Sequence, residues 1–320
     1  MTAIAVLDDW QNIARASADW SVLTSRAEVE FFAAPLQGDD DVARRLARFD
    51  LVQSIRERTP FPASLVQRLP NLRMFGITGS RVATIDVATM RNRGITVCYT
   101  GGGPSGASTA ELALALMLAA VRQVPAGDAA VRAGRFQQGT KAGSVLAGKT
   151  IGLIGLGRIG ARMARACRAL DMRVIAWSQN LTPEAATEAG AERVAKEELL
   201  ASADVVSLHL VLSERTRGIL SAADLARMKT GAVLVNTARG PLVDERALID
   251  AVRLGRLTAA LDVFEQEPLP ASHPLNALPN VVLTPHLGYS VKEVFAECFK
   301  HAVENMVAFL DGKPIRVLEG

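Results

Sequence analysis

The sequence predicts an α/β fold in two domains, the larger of them built on a doubly wound parallel sheet. Three observations carry that prediction. Short apolar runs alternate with helix-length stretches along most of the 320 residues, which is the rhythm of parallel strands joined by crossover helices. A strand-like run from Thr150 to Ile154 leads directly into Gly155-Leu156-Gly157-Arg158-Ile159-Gly160, and Met163, Ala164, Ala166, Cys167 and Leu170 then follow at helical spacing. A length of 320 residues with 49% hydrophobic and 22% charged content suits two globular domains with a substantial core.

In chain order, Ala3–Leu7, Val29–Phe32, Leu51–Ile55, Leu72–Ile77 and Ile95–Cys98 read as short buried strands of a small parallel sheet. A helix is expected from Thr109 to Arg122, then a glycine-rich loop through Gly134, Gly139, Gly143 and Gly148. Beyond the strand at Thr150 the rhythm repeats in Val174–Trp177, Val205–Leu208, Ala232–Val235, Leu257–Leu261 and Val281–Leu283, giving six strands with helices such as Ala222–Met228 and Asp244–Arg253 between them. The final stretch, Val291–Leu310, is an amphipathic helix with Val294, Phe295, Cys298, Val303, Met306, Val307 and Leu310 on its inward stripe. It follows a completed nucleotide-binding unit, so it is expected to return to the first domain. The fold class is therefore a Rossmann-type doubly wound sheet domain (103–288) plus a smaller flavodoxin-like α/β domain that is discontinuous (1–102 and 289–320), with a cleft between them for substrate and cofactor.

Composition excludes several classes of function. The formal net charge is only +3 and the basic residues are interspersed with acidic ones, which argues against nucleic acid as a partner. Cys98, Cys167 and Cys298 are far apart and lack ligand spacing, so they read as small core residues, with no metal site. The chain starts straight into a strand without a basic, apolar leader, and the longest apolar run, Leu112–Val121, is about half a membrane span; a cytoplasmic protein with no membrane partner is expected.

The glycine turn has a physical reading at each glycine. The first permits the tight turn, the second lets backbone reach a pyrophosphate, and the third lets helix and strand approach closely. The helix start then offers unpaired N–H groups to an anion. Three further residues follow strands: Arg239 in Asn236-Thr237-Ala238-Arg239-Gly240, Glu267 in Glu265-Gln266-Glu267-Pro268, and His286 in Thr284-Pro285-His286-Leu287-Gly288. Ligands of open α/β sheets bind outside the carboxyl ends of the strands, so these residues can converge there. A histidine beside a carboxylate can carry a proton near neutral pH, and an arginine fork binds a carboxylate through two parallel N–H bonds. Together they suit a 2-oxo or 2-hydroxy acid.

The glycine turn, Asn-Thr-Ala-Arg-Gly-Pro at 236–241, Leu261-Asp262-Val263-Phe264 leading to Glu267-Pro268, and Thr-Pro-His-Leu-Gly at 284–288, in this order, resemble the D-isomer-specific 2-hydroxyacid dehydrogenase family over essentially the whole chain. The resemblance implies hydride transfer between a nicotinamide cofactor and a small 2-oxo acid, with His286 as acid/base, Glu267 as its partner and Arg239 on the substrate carboxylate. It implies cofactor contacts at Gly155, Gly157, Arg158, Ile159, Gly160, Ser178, Gln179, Thr237, Asp262 and Gly288, with Asp262 positioning the nicotinamide carboxamide. Thr78, Gly79, Ser80 and Arg81 match the substrate loop, whose backbone N–H groups would receive the carboxylate; Arg56 and Arg58, flanking Glu57, are candidates to line the cleft. Where relatives often have Asn-Pro-Gly before the interdomain helix, this chain has Thr100-Gly101-Gly102-Gly103-Pro104. A homodimer is implied, with Leu112–Val121 as the candidate contact.

Cofactor choice departs from the NAD pattern. The end of the second strand, where an acidic residue would hold the ribose 2′-hydroxyl, reads Ser178-Gln179-Asn180. No carboxylate is there to repel a 2′-phosphate, and the balance falls slightly toward NADP(H) over NAD(H). A second reading takes the chain as a dinucleotide-sensing interaction protein, since the C-terminal-binding-protein corepressors resemble the same fold, but no long tail or interaction motif is present. Formate dehydrogenases also share the fold, but with glutamine as the histidine's partner; Glu267 argues against formate.

Overall fold

Apolar runs with no polar face to turn toward water become strands buried on both sides, and the first sheet is made of them. The computed structural model describes residues 1–56, 58–79 and 84–319. It divides into two compact units, Met1–Pro104 with the segment from Ser290 onward, and Ser105–Tyr289.

In the first unit Thr2–Val6 (β1), Ala27–Phe31 (β2), Leu51–Gln53 (β3), Met74–Ile77 (β4) and Thr96–Tyr99 (β5) form an all-parallel sheet in the order β2-β1-β3-β4-β5. That is the flavodoxin-like order, with the topological switch between β1 and β3. Ile4, Ala5 and Val6 are all buried, as are Leu51 and Val52, which is why these strands read as continuous rather than alternating runs. Four phenylalanines lock the core edge to face: Phe61 on Phe75 at 4.6 Å and Phe32 on Phe49 at 5.7 Å between ring centroids. The helix Lys292–Leu310 belongs to this unit and packs on the short helices Ala14–Ser17 and Ser21–Thr24 and on β4. Val294, Phe295, Cys298, Val303 and Met306 are buried on it as expected, joined by Phe299, Ala302 and Asn305, whereas Val307 and Leu310 are only half-buried. Trp20 contacts Phe299 at 6.0 Å.

The second unit has seven strands rather than six: Thr150–Ile154 (β6), Arg173–Trp177 (β7), Glu192–Arg193 (β8), Val205–Leu208 (β9), Ala232–Asn236 (β10), Leu257–Leu261 (β11) and Val281–Leu283 (β12), all parallel in the order β12-β11-β10-β9-β6-β7-β8. The chain steps outward from β6 to β8, then returns to the far side of β6, so the switch lies between β6 and β9. β8 escapes a search for apolar runs because it is two exposed, charged residues on an edge, where nothing needs burying. Helix Arg158–Arg168 buries Gly160, Met163, Ala164 and Cys167, the spacing of one helical face.

Helix Ser105–Val121 starts four residues before the expected Thr109 and is a core element of its own unit. Ala113, Leu116, Met117 and Ala120 are buried where it packs on helix 158–168 and on β10, β11 and β12. This packing accounts for one face of Leu112–Val121, the stretch expected as a subunit contact; Leu112, Leu114 and Leu118 are half-buried and Ala115 is exposed. A helix absent from the sequence reading follows, Val124–Arg132, with Val124 and Val131 exposed. Cys98, Cys167 and Cys298 are all buried, and burial pushes the thiols up, to about 11 for Cys98 and about 12 for Cys167, so they are core residues rather than nucleophiles. Among the described residues, no single helix is long and apolar enough to cross a membrane.

Candidate active site

The glycine turn sits where β6 hands over to helix 158–168, and its three glycines do different work. Gly155 takes φ +99°, a conformation that side chains resist, against the backbone of His209. A Cβ on Gly160 would lie 2.2 Å from the Gly155 carbonyl oxygen, so only glycine lets the helix start this close to the strand. Gly157 is the opposite case: a Cβ there would meet nothing within 4 Å. Gly157 caps the helix with no side-chain hydrogen bond, leaving the N–H groups of the first turn to an anion. At the carboxyl end of β10, Thr237 Oγ1 is buried without a hydrogen-bond partner. An open cradle of N–H groups and an orphaned hydroxyl at the carboxyl edge of the sheet fit a dinucleotide.

Ser178 follows β7 half-buried, and Gln179 and Asn180 are exposed. Leu181 N–H closes the turn on the Ser178 carbonyl at 3.2 Å. No basic residue follows closely after this strand in the sequence, yet Arg193 from the short β8 donates through Nε to the Leu181 carbonyl at 2.7 Å. A guanidinium therefore stands at the turn, supplied from another strand and invisible to local spacing. Arg158 is exposed at the first position of the helix, and Ile159 packs on the core.

The carboxyl ends of β10, β11 and β12 bring the other candidates together. His286 Nδ1 and Glu267 Oε2 are 2.6 Å apart, although the residues are 19 positions apart in sequence. Glu267 Oε1 also accepts from the Phe264 N–H at 3.0 Å. Burial works against ionising Glu267, but the His286 hydrogen bond and charge, the Phe264 N–H and the nearby Arg239 guanidinium together hold it below the usual carboxylate range. Arg239 is half-buried; Asn236 shapes its segment by donating to the Arg239 carbonyl at 2.9 Å while accepting from the Ala238 N–H at 3.0 Å.

Asp262 is fully buried and faces the histidine loop. Its Oδ1 accepts from Thr284 Oγ1 at 2.6 Å and the Leu287 N–H at 2.7 Å, and its Oδ2 from the Gly288 N–H at 2.9 Å. Its carbonyl accepts from the His286 N–H at 2.9 Å. Asp262 is thus an organiser of the loop, and His286 sits in it at φ +55°. Ser108 and Thr109, missed in the sequence, fix the same loop by donating to the Gly288 carbonyl at 2.7 and 3.0 Å.

In the first unit Thr78 and Gly79 follow β4. Thr78 Oγ1 accepts from the Arg56 N–H at 2.5 Å, and Gly79 N–H donates to Thr100 Oγ1 at 3.2 Å. A Cβ on Gly79 would lie 2.8 Å from an Arg56 guanidinium nitrogen, which places a cation against this loop. Ser80, Arg81 and Glu57 lie outside the described residues.

A Rossmann-order sheet with a glycine cradle and a carboxylate-held imidazole at its carboxyl edge defines a dinucleotide-binding protein equipped for proton transfer. Residues 114–288 match the family model for the D-isomer specific 2-hydroxyacid dehydrogenase NAD binding domain. The chain is 42% identical over 257 residues to a glyoxylate reductase of Aeropyrum pernix, covering 78% of this chain and 76% of that protein. It is 38% identical over 278 residues to a D-3-phosphoglycerate dehydrogenase of Archaeoglobus fulgidus, covering 87% of this chain and 52% of that one. Among solved structures, a phosphoglycerate oxidoreductase from Vibrio cholerae superposes with a TM-score of 0.91 at 38% identity, over 98% of this chain and 100% of that one. The chain belongs to the D-isomer specific 2-hydroxyacid dehydrogenase family, and its cofactor is a nicotinamide dinucleotide. It spans about half the length of the curated D-3-phosphoglycerate dehydrogenases it matches.

Proposed function

We propose that this chain is an oxidoreductase interconverting a small 2-oxo acid and its D-2-hydroxy acid. The observation that carries the reading is the 2.6 Å contact between His286 and Glu267, with the charge of Arg239 acting on the same carboxylate. A dinucleotide held at the glycine turn would supply or receive the hydride. With Nδ1–H donated to Glu267, the His286 ring is left with Nε2 to give a proton to the carbonyl oxygen, or to take one from the hydroxyl in the oxidative direction. Arg239 holds the substrate carboxylate by its fork and stabilises the charge that develops on the reacting oxygen. The loop at 78–81 is assigned to the substrate carboxylate, with Arg56 adding positive charge beside Gly79. Relatives named glyoxylate reductase and D-3-phosphoglycerate dehydrogenase support a substrate of this small acidic class.

The absence of a carboxylate at Ser178-Gln179-Asn180, together with the guanidinium of Arg193 at the same turn, supports a slight preference for NADP(H) over NAD(H). The chain is taken as a homodimer, with Leu112–Val121 as the candidate contact and the apolar residues exposed on and after helix 124–132 added to it. The proton-transfer assignment is tested by His286→Ala, assayed against a panel of 2-oxo acids (glyoxylate, hydroxypyruvate, pyruvate, phenylpyruvate and branched-chain forms) with both reduced cofactors. Turnover is expected to fall by about 10²–10⁴ while cofactor affinity stays within about twofold. Undiminished turnover would remove His286 from the role.

A further inference from the structure

We infer that Glu245 and His273 are positioning residues that clamp the loop carrying Glu267, and so set the hydrogen bond between Glu267 and His286. The inference rests on the proposed proton-transfer role of that pair.

The segment from Asp262 to Leu275 leaves the carboxyl end of β11 with no strand or helix until the short turn at Pro274–Ala277, so its shape must come from side chains. Glu267 lies in its middle. One carboxylate holds both sides of it: Glu245 Oε2 accepts from the Glu265 N–H at 3.1 Å, and Glu245 Oε1 lies 3.2 Å from His273 Nε2. His273 Nδ1 accepts from the Leu275 N–H at 3.4 Å, so the ring proton is on Nε2 and points at Glu245. Both side chains of the pair are only 16% exposed, so the bond is shielded from water and its geometry is fixed by packing.

The same carboxylate ties this loop to the segment that bears Arg239. Glu245 opens helix Glu245–Arg253, which follows Arg239 after the short turn Gly240–Leu242 and the capping residue Asp244. The loop lies directly on that turn: a Cβ on Gly240 would come within 2.0 Å of Phe264 and 2.5 Å of the Glu265 nitrogen. Phe264, whose N–H holds Glu267 Oε1, is therefore set between the Gly240 backbone and the Glu245 anchor at its next residue. Loosening Glu245 frees the loop to move Glu267 away from His286 without touching either residue. The other charged groups around the clamp are Arg246, Asp250, Arg253 and Glu265, which line the hollow beside it with Ile249 and Pro274.

The test is a double-mutant cycle between Glu245→Ala and Glu267→Gln on the full chain, using whichever 2-oxo acid of the panel is reduced fastest. Glu245→Gln, which keeps one acceptor and the side-chain shape, is run beside it to cover a poorly folding alanine variant. Glu245→Ala is expected to lower kcat about tenfold with KM and cofactor Kd unchanged, since a small misplacement of a catalytic partner weakens chemistry rather than binding. In the Glu267→Gln background the same change is expected to have no further effect. Imidazole ¹⁵N–¹H spectra give a readout independent of turnover: the low-field His286 Nδ1–H signal should shift or broaden in both Glu245 variants. Additive losses in the cycle, a change confined to KM, or an unperturbed His286 signal would overturn the clamp. Failure of Glu267→Gln itself to lower kcat would instead strike the proton-transfer reading, and the clamp with it.

Discussion

At the residue scale, Asp8 shows how much a single buried group can reveal about the edge of the first sheet. It follows β1 at the β1/β3 switch, almost fully buried, in the left-handed region at φ +60°. Its Oδ1 accepts from Thr59 Oγ1 at 2.8 Å, and its carbonyl from Arg58 at 2.7 Å, but its Oδ2 has no partner. Burial pushes its carboxyl up to about 6, with Thr59 and the Arg58 charge working only partly against it. A carboxyl raised in the folded state binds protons that the unfolded chain has released, so stability falls as pH rises from about 4 to about 6 and the cost persists above that window. Asp8→Asn keeps the acceptor for Thr59 and removes the charge. Thermal melts should show it more stable than the wild type at pH 8, by up to about 3 kcal/mol, with the difference gone at pH 4. Equal melting at both pH values would mean that the carboxyl is relieved by a contact of its own. Asp8 drew no notice in the sequence, because Leu7-Asp8-Asp9-Trp10 looks like an ordinary turn until the burial of each residue is known. By contrast, Gly155 and Gly160 were legible singly, since each answers to one steric demand.

At the scale of elements, what the sequence foretold and what it hid divide by whether a feature is local. Strands β6, β7 and β9 to β12 were legible from apolar runs because a parallel sheet buried on both faces leaves no other reading. The pairing of Glu267 with His286 was legible as convergence at strand ends, but only the fold supplies the distance. Asp262 is expected to position the nicotinamide carboxamide; its oxygens also hold Thr284, Leu287 and Gly288, and a strand-end aspartate carries no sign of those local bonds. Arg193 was hidden because β8 is too short and too polar to register, yet it places a cation at the Ser178 turn. The proposed preference for NADP(H) rests on this turn. Introducing Ser178→Asp puts a carboxylate where a 2′-phosphate would sit, and titration of both reduced cofactors should show NADPH affinity falling by about tenfold or more while NADH affinity holds or improves. A wild-type chain that already binds NADH far more tightly would defeat the reading.

For the whole molecule, the two units have independent cores and both terminal segments belong to the first, as the helix Lys292–Leu310 shows by burying its apolar stripe there. That return was legible because the second sheet was already complete before Val291. Quaternary structure is not legible in the same way: Leu112–Val121 is apolar enough for a subunit contact, yet part of it covers the sheet of its own unit. Apolar residues exposed on and after helix 124–132 include Val124, Val131, Phe136 and Val145, at 55, 62, 74 and 73%. On the proposed homodimer, sedimentation equilibrium of this 34.1 kDa chain should give about twice that mass, with Phe136→Asp shifting the population toward monomer. A wild-type monomer at micromolar concentration would refute the dimer.

The central claim is hydride transfer to C2 of a small 2-oxo acid with formation of the D-isomer. The most direct measurement is reduction of the panel acids with nicotinamide cofactor deuterated at C4, followed by chiral chromatography and mass spectrometry of the products. D-2-hydroxy acid carrying deuterium at C2 is expected from at least one acid. Product of the opposite hand, or no deuterated 2-hydroxy acid from any of them, would contradict it.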